Sequence, residues 1–173
     1  MNSNDSSEKV WNLLADFSTA MLVTVDGNNV IRARPMVIAG IEKGEKIWFI
    51  SGADSAKLHE ISESTRVGLV CQKGHSVFLA ISGDATLICD PVKVAELWQE
   101  SFRIWFPGGK EDPTIVLIAV TPTRAEYWDN SGVKKVEFLW DAATAYLTGT
   151  TPKSQASEQH GVVQTTDEAR GFR

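Results

Sequence analysis

Two long β-rich runs, "VFLAISGDATLIC" at 77–89 and "TIVLIAVTPTRAEYWD" at 114–129, limit what this chain can fold into. Both exceed the five or six residues of a typical strand. Each also carries, near its middle, a residue that a regular ladder tolerates poorly: Gly83 in the first, Pro122 in the second. Glycine there predicts a bulge or bend, and proline, lacking an N–H, belongs at a bulge or an edge. Long antiparallel strands that bend part-way are what a small barrel needs.

The other segments fit that frame. "AMLVTV" reads as a strand closed by the turn "DGNN", and an arginine-bearing strand follows over 30–39. "EKGE" turns the chain into "KIWFIS", and "RVGLVCQ" is a further strand ended by Lys73-Gly74. Helices are expected between strands. Asp5 and Glu8 precede Val10, Leu13, Leu14 and Phe17 at helical spacing, and "GADSAKLHEISES" places Leu58 and Ile61 on one helical face. Asp90-Pro91 is a helix start, with an apolar stripe of Val94, Leu97, Trp98, Phe102 and Trp105 behind it and "FPGGKEDP" as its stop. Asn130-Ser131-Gly132 turns into "VKKVEFLW", and "DAATAYL" reads as a short helix. The fold class expected is mainly β with helices: a six-stranded antiparallel barrel flanked by short helices. One domain spans 1–147, and the polar segment 148–173 is read as an extended or mobile tail.

Composition excludes more than it assigns. A net charge of -5 argues against nucleic acid or an anionic membrane as a general partner. No apolar run reaches the roughly 18 residues that would span a bilayer. The N-terminus has no basic stretch followed by an apolar one, so a cytoplasmic location is expected, with Cys71 and Cys89 as free thiols in strands. His59, His75 and His160 are scattered without ligand spacing, and no metal site is expected.

The arginine strand, "NVIRARPMVIAG", poses the sharpest question. Alternation puts Arg32, Arg34, Met36 and Ile38 on one face and Ile31, Ala33, Pro35 and Val37 on the other. Arginines on a buried face need a partner: either an acidic side chain across the sheet or a bound anion, whose oxygens a guanidinium fork suits. "FISGADSAK" bears on the choice, because Ser51 ends a strand and Lys57 follows near the start of a helix. A hydroxyl, free helix N–H groups and an ammonium are the parts of a phosphate cradle, although this is not a Walker loop. Singly, Ser51 and Lys57 read as surface residues; with Arg34 on a neighbouring strand, one shared anion site and separate surface charges are equally good readings. Trp105 and Phe106 in "WFPGG", and Trp128 in "AEYWD", either cover an apolar patch, close a subunit interface or stack on a planar ligand. Spacing assembles no catalytic triad or carboxylate pair, so any chemistry would belong to a bound cofactor.

In their order along the chain, "RARPM", "IWFISGADSAKLHEI", "RVGLV", "ISGDATL", "WFPGG" and "AEYWD" resemble the pyridoxamine-phosphate-oxidase-like flavin-binding split barrels, most closely their general-stress-protein branch. The resemblance runs from about Val10 to Leu139. It implies a homodimer of FMN-binding split barrels with the flavin at the subunit interface. Arg34, Pro35, Met36 and Val37 match the strand beside the isoalloxazine ring, Ile50 and Ser51 the strand end near the ribityl phosphate, and Lys57 the phosphate lysine. Trp105 and Phe106 match residues supplied by the partner subunit, with Trp128 nearby. FMN is the implied cofactor, FAD its alternative, and a nicotinamide the implied electron donor. The activity implied is that of an FMN-dependent oxidoreductase, or else a non-catalytic flavin dimer serving as sensor or store. Ala56 stands where the pyridoxamine-phosphate oxidases carry an arginine, and Phe78 where they carry a flavin-contacting glutamine, so vitamin B6 oxidation is not expected. A cofactor-free dimeric barrel, with the aromatics as interface only, is the competing reading.

Overall fold

The computed structural model describes residues 3–129 and 160–164. Its elements are α1 (Ser3–Ala15), β1 (Thr19–Val25), β2 (Ile31–Val37), β3 (Gly40–Glu42), β4 (Lys46–Gly52), α2 (Ala56–Glu63), β5 (Arg66–Lys73), β6 (Val77–Ile88), α3 (Pro91–Leu97), β7 (Ile115–Asp129) and β8 (His160–Gln164). One antiparallel sheet runs in the order β2-β1-β5-β6-β7-β4-β3, and β8 adds to β7. It is the curled sheet of a split barrel. The six expected strands are all present; β3, which follows the arginine run, and β8, inside the expected tail, are additional. "VKKVEFLW" and "DAATAYL" lie outside the described residues.

The bend predicted for the two long strands is where Gly83 and Pro122 meet. Ser82 pairs with Arg124 and Gly83 with Pro122, so Thr123 is the extra residue of a bulge. A Cβ on Gly83 would lie 2.5 Å from the Thr121 carbonyl oxygen, which only glycine avoids. Thr123 Oγ1 donates to the Ser82 carbonyl at 3.2 Å, restoring a bond across the interrupted ladder. The bulge also reverses which residues of β7 point inward. Val116, Ile118 and Val120 face the barrel interior before it, Ala125 and Tyr127 after it. At the same point the free edge of β7 changes partner, from β4 to β8.

Two apolar cores result. The larger joins Leu22, Phe49, Leu69, Leu79 and Ile118 to Val10, Trp11 and Leu14 of α1 and Leu58 and Ile61 of α2. The smaller lies on the opposite face of β4 and β7, where Trp48, Ile50, Ile115, Leu117 and Ala119 pack under Val94, Leu97, Phe102 and Phe106. The single helix expected from Pro91 to Trp105 is broken. Trp98 and Gln99 are extended, and a 3-10 turn over Glu100–Ile104 resumes the path. That break keeps Phe102 buried but turns Trp105 outward, 59% exposed.

Candidate functional site

The hairpin of β1 and β2 and the first turns of α2 converge on one polar cluster. Thr24 stands opposite Arg32, and Leu22 opposite Arg34. These side chains share the inward face, as alternation requires. Glu60, one turn beyond Lys57 on α2, is buried beneath them. Arg34 Nη2 donates to Glu60 Oε2 at 2.6 Å and Nη1 to Thr24 Oγ1 at 2.5 Å. Thr24 Oγ1 in turn donates to the same Glu60 oxygen, closing a three-membered network. Arg32 Nε bonds Asp26 Oδ2 at 3.1 Å and lies 3.7 Å from Glu60 Oε1. The arginines therefore do pair with carboxylates across the fold. Burial pushes the Glu60 carboxyl up, but the bonds from Thr24 and Arg34 and the charges of both arginines outweigh it, and its pKa is lowered.

Beside this network the chain leaves β4 and enters α2. Ser51 is buried, and its Oγ accepts from Lys57 Nζ at 2.9 Å. Ser55, at the N-cap of α2, does not cap the helix with its side chain; its Oγ takes a second bond from Lys57 Nζ, at 2.5 Å. Lys57 is half-buried. Burial and the Arg34 charge lower its pKa, while Glu60 and Asp54 act the other way. The structure thus brings Arg34, Ser51 and Lys57 into one cluster, as the sequence suggested. Thr24, Ser55 and Glu60 were not anticipated as members. Glu60 was findable: it lies three residues from Lys57 in a helix, which puts both on one side of α2.

The remaining residues singled out in the sequence fall elsewhere. Met36 packs against the larger core and Val37 against the smaller, while Pro35 faces outward opposite Met21. Ile50 and Phe106 are buried in the smaller core, with the Phe106 ring close to Gly52. Phe106 therefore packs within its own chain. Trp128 lies at the other end of β7 from Val116, the partner of Ser51. Twelve residues separate Val116 from Trp128, about 40 Å of strand path.

Trp128 borders a second feature, the outer face of β2, β1, β5 and β6. Ile31, Met21 and Val70 are exposed there, at 72%, 38% and 45%. Register aligns Pro35, Met21, Val70 and Ala80 in one row, and Phe78, Trp128 and His160 in the next. His160 stacks on Trp128 at 5.1 Å and contacts Glu126 at 2.9 Å. Spacing gave no hint of this pairing, because His160 arrives on β8. Among the described residues no group of three or more His, Cys, Asp or Glu could hold a metal, and no helix is long and apolar enough to cross a membrane.

The family model for pyridoxamine 5'-phosphate oxidase-like proteins matches residues 5–153. The chain belongs to this family. A general stress FMN/FAD-binding protein of Xanthomonas citri is 35% identical, covering 73% of this chain and 89% of that one, with a TM-score of 0.63. A general stress family protein of Xanthomonas campestris is 32% identical over the same shares, with a TM-score of 0.58. A general stress protein 26 from Jannaschia is 24% identical and shares the fold over 95% of this chain and 100% of that one, with a TM-score of 0.69. No curated protein matches the chain. Family membership accounts for the split barrel and for the order of motifs from "RARPM" to "AEYWD".

Proposed function

We propose that this family member binds FMN between two copies of the chain and acts as a flavin-dependent oxidoreductase. The observation that carries the reading is the seat of Lys57. Its ammonium rests on two serine hydroxyls beside Arg34, at the start of a helix whose first N–H groups have no side-chain cap and are open to an anion's oxygens. A phosphate monoester fits that donor set, since Lys, Ser and helix N–H groups all offer hydrogens to its oxygens. FAD, whose flavin-side phosphate is tied up in a pyrophosphate link and carries a single charge, is the alternative ligand.

The residues divide the work by chemistry. Lys57, Ser51 and Ser55 hold the phosphate, with Arg34 supplying charge from behind. The strand from Arg34 to Val37 borders the ring. The open outer face, with Met21, Val70 and Trp128 exposed, suits a second copy of the chain, which would bury it and shut water from the ligand. Trp105, exposed on the turn after α3, would then reach the partner's ligand. Bound flavin supplies hydride transfer, with a nicotinamide as the donor class.

The test is the visible spectrum of the purified protein, with mass spectrometry of what heat releases. A flavin spectrum that yields FMN near one per chain, and is lost in Lys57→Ala with Arg34→Ala, is expected. A colourless protein that also takes up no added FMN or FAD overturns the reading. Reduction of the bound flavin by NADH or NADPH separates the oxidoreductase from a flavin store.

A further inference from the structure

Glu60 stands where an anion would be expected. It is 4% exposed, and its two oxygens are shared among Thr24, Arg34 and Arg32. Lys57 lies one helical turn away and close enough for its titration to respond to Glu60 as well as to Arg34. A site meant only to hold phosphate tightly would leave this carboxylate out. Two arginines and a lysine around an empty cradle would then repel one another, and a partly buried guanidinium without a counter-ion is costly. Glu60 relieves that repulsion while the site is empty. Once a phosphate arrives, the same carboxylate repels it, because the bonds from Thr24 and Arg34 and the charges of both arginines hold it ionised.

We propose that Glu60 is a resident counter-anion that sets the affinity of this site for phosphate dianions, trading tight binding for stability of the unliganded fold. The inference rests on the reading of Lys57 and Arg34 as a phosphate clamp. It makes the site one that releases its ligand more readily than its cations alone would allow. The repulsion scales with the ligand's charge. It acts most on a dianionic phosphate, less on a monoanion, and not on a flavin without phosphate.

The experiment compares FMN and riboflavin binding by wild type, Glu60→Gln and Lys57→Ala, at pH 8 and at pH 5.5, by fluorescence quenching. Glu60→Gln should bind FMN about tenfold tighter at pH 8, the size of one nearby charge acting across a few Å. The gain should shrink at pH 5.5, where much of the phosphate carries a single charge (second pKa about 6). Riboflavin affinity should not move, and unliganded Glu60→Gln should melt below wild type. FMN bound more weakly by Glu60→Gln would make Glu60 a residue that merely positions Arg34, and unchanged FMN affinity would leave it with no role at the site; either overturns the proposal. Should Glu60→Gln need ligand to fold, its melting temperature across FMN concentrations gives the same comparison, since ligand binding raises stability in proportion to affinity. A smaller rise per FMN added than in wild type overturns it too. FMN binding that survives Lys57→Ala unchanged is a separate failure, that of the phosphate clamp itself.

Discussion

The two halves of the sheet are finished differently. Where β4 and the first half of β7 pair, both faces are covered: Phe49 and Ile118 point into the larger core, Trp48 and Leu117 into the smaller. Such strands read as continuous apolar runs, as "KIWFIS" and "IVLIAV" do. The β1, β2, β5 and β6 half has one buried face and one open one, and its edge strand β2 is tied to α2 by the Arg34–Glu60 ion pair. One half is closely packed on both faces, and at its edge Lys93 of α3 pairs with Glu42 of β3. The other is held by packing on one side and charge at its rim, leaving a surface for something else to cover.

Truncation should expose that difference most strongly. Leu117 is wholly buried between β7 and α3, so Leu117→Ala should destabilise by about 2–5 kcal/mol in urea titration. Val70→Ala, on the open face, should change the stability of the isolated chain by about 0.5 kcal/mol or less and cost more where the proposed second copy covers it. Equal losses would mean that Val70 is buried in the protein in solution, which sharpens the case for a covering partner rather than against the packing.

A charge on the open face tests the partner directly. Val70→Asp should convert a dimer to monomer in sedimentation velocity while leaving each chain folded. A wild-type protein that sediments as a monomer at all concentrations would break the second-copy reading.

Acid is the gentlest probe. The folded pKa of Glu60 lies below its ordinary 4.5, so the stability it contributes is complete above pH 4.5 and is lost as pH falls through the lowered value. Hydrogen exchange in β2 should therefore accelerate below that pH before exchange in β4 does. Simultaneous loss in both strands would show that the ion pair does not act locally at the edge.

Much of this was legible in the chain. Gly83 and Pro122 mark their own bulge, because each fails a regular ladder for a reason visible in its covalent structure. Arg32 and Arg34 share a face by simple alternation, and Lys57 announces a helix start beside Ser51. The broken helix after Leu97 was not legible. Val94, Leu97, Phe102 and Trp105 keep a helical spacing, yet Trp98 and Gln99 turn extended so that Phe102 can reach under the sheet. Nor was β8, whose single buried side chain, Val163, lies in a polar stretch.

The sequence by itself determined the six main strands, their inward faces, the bend in the long pair and the presence of cations suited to an anion. These follow from local sterics and from a two-residue period. Only the tertiary structure decided what the cations meet. Glu60 reaches Arg34 because α2 packs under the β1–β2 hairpin, 26 residues apart in sequence, and His160 reaches Glu126 and Trp128 because β8 returns to the free edge of β7. Contacts between distant segments depend on how the whole core closes, and no local pattern encodes that.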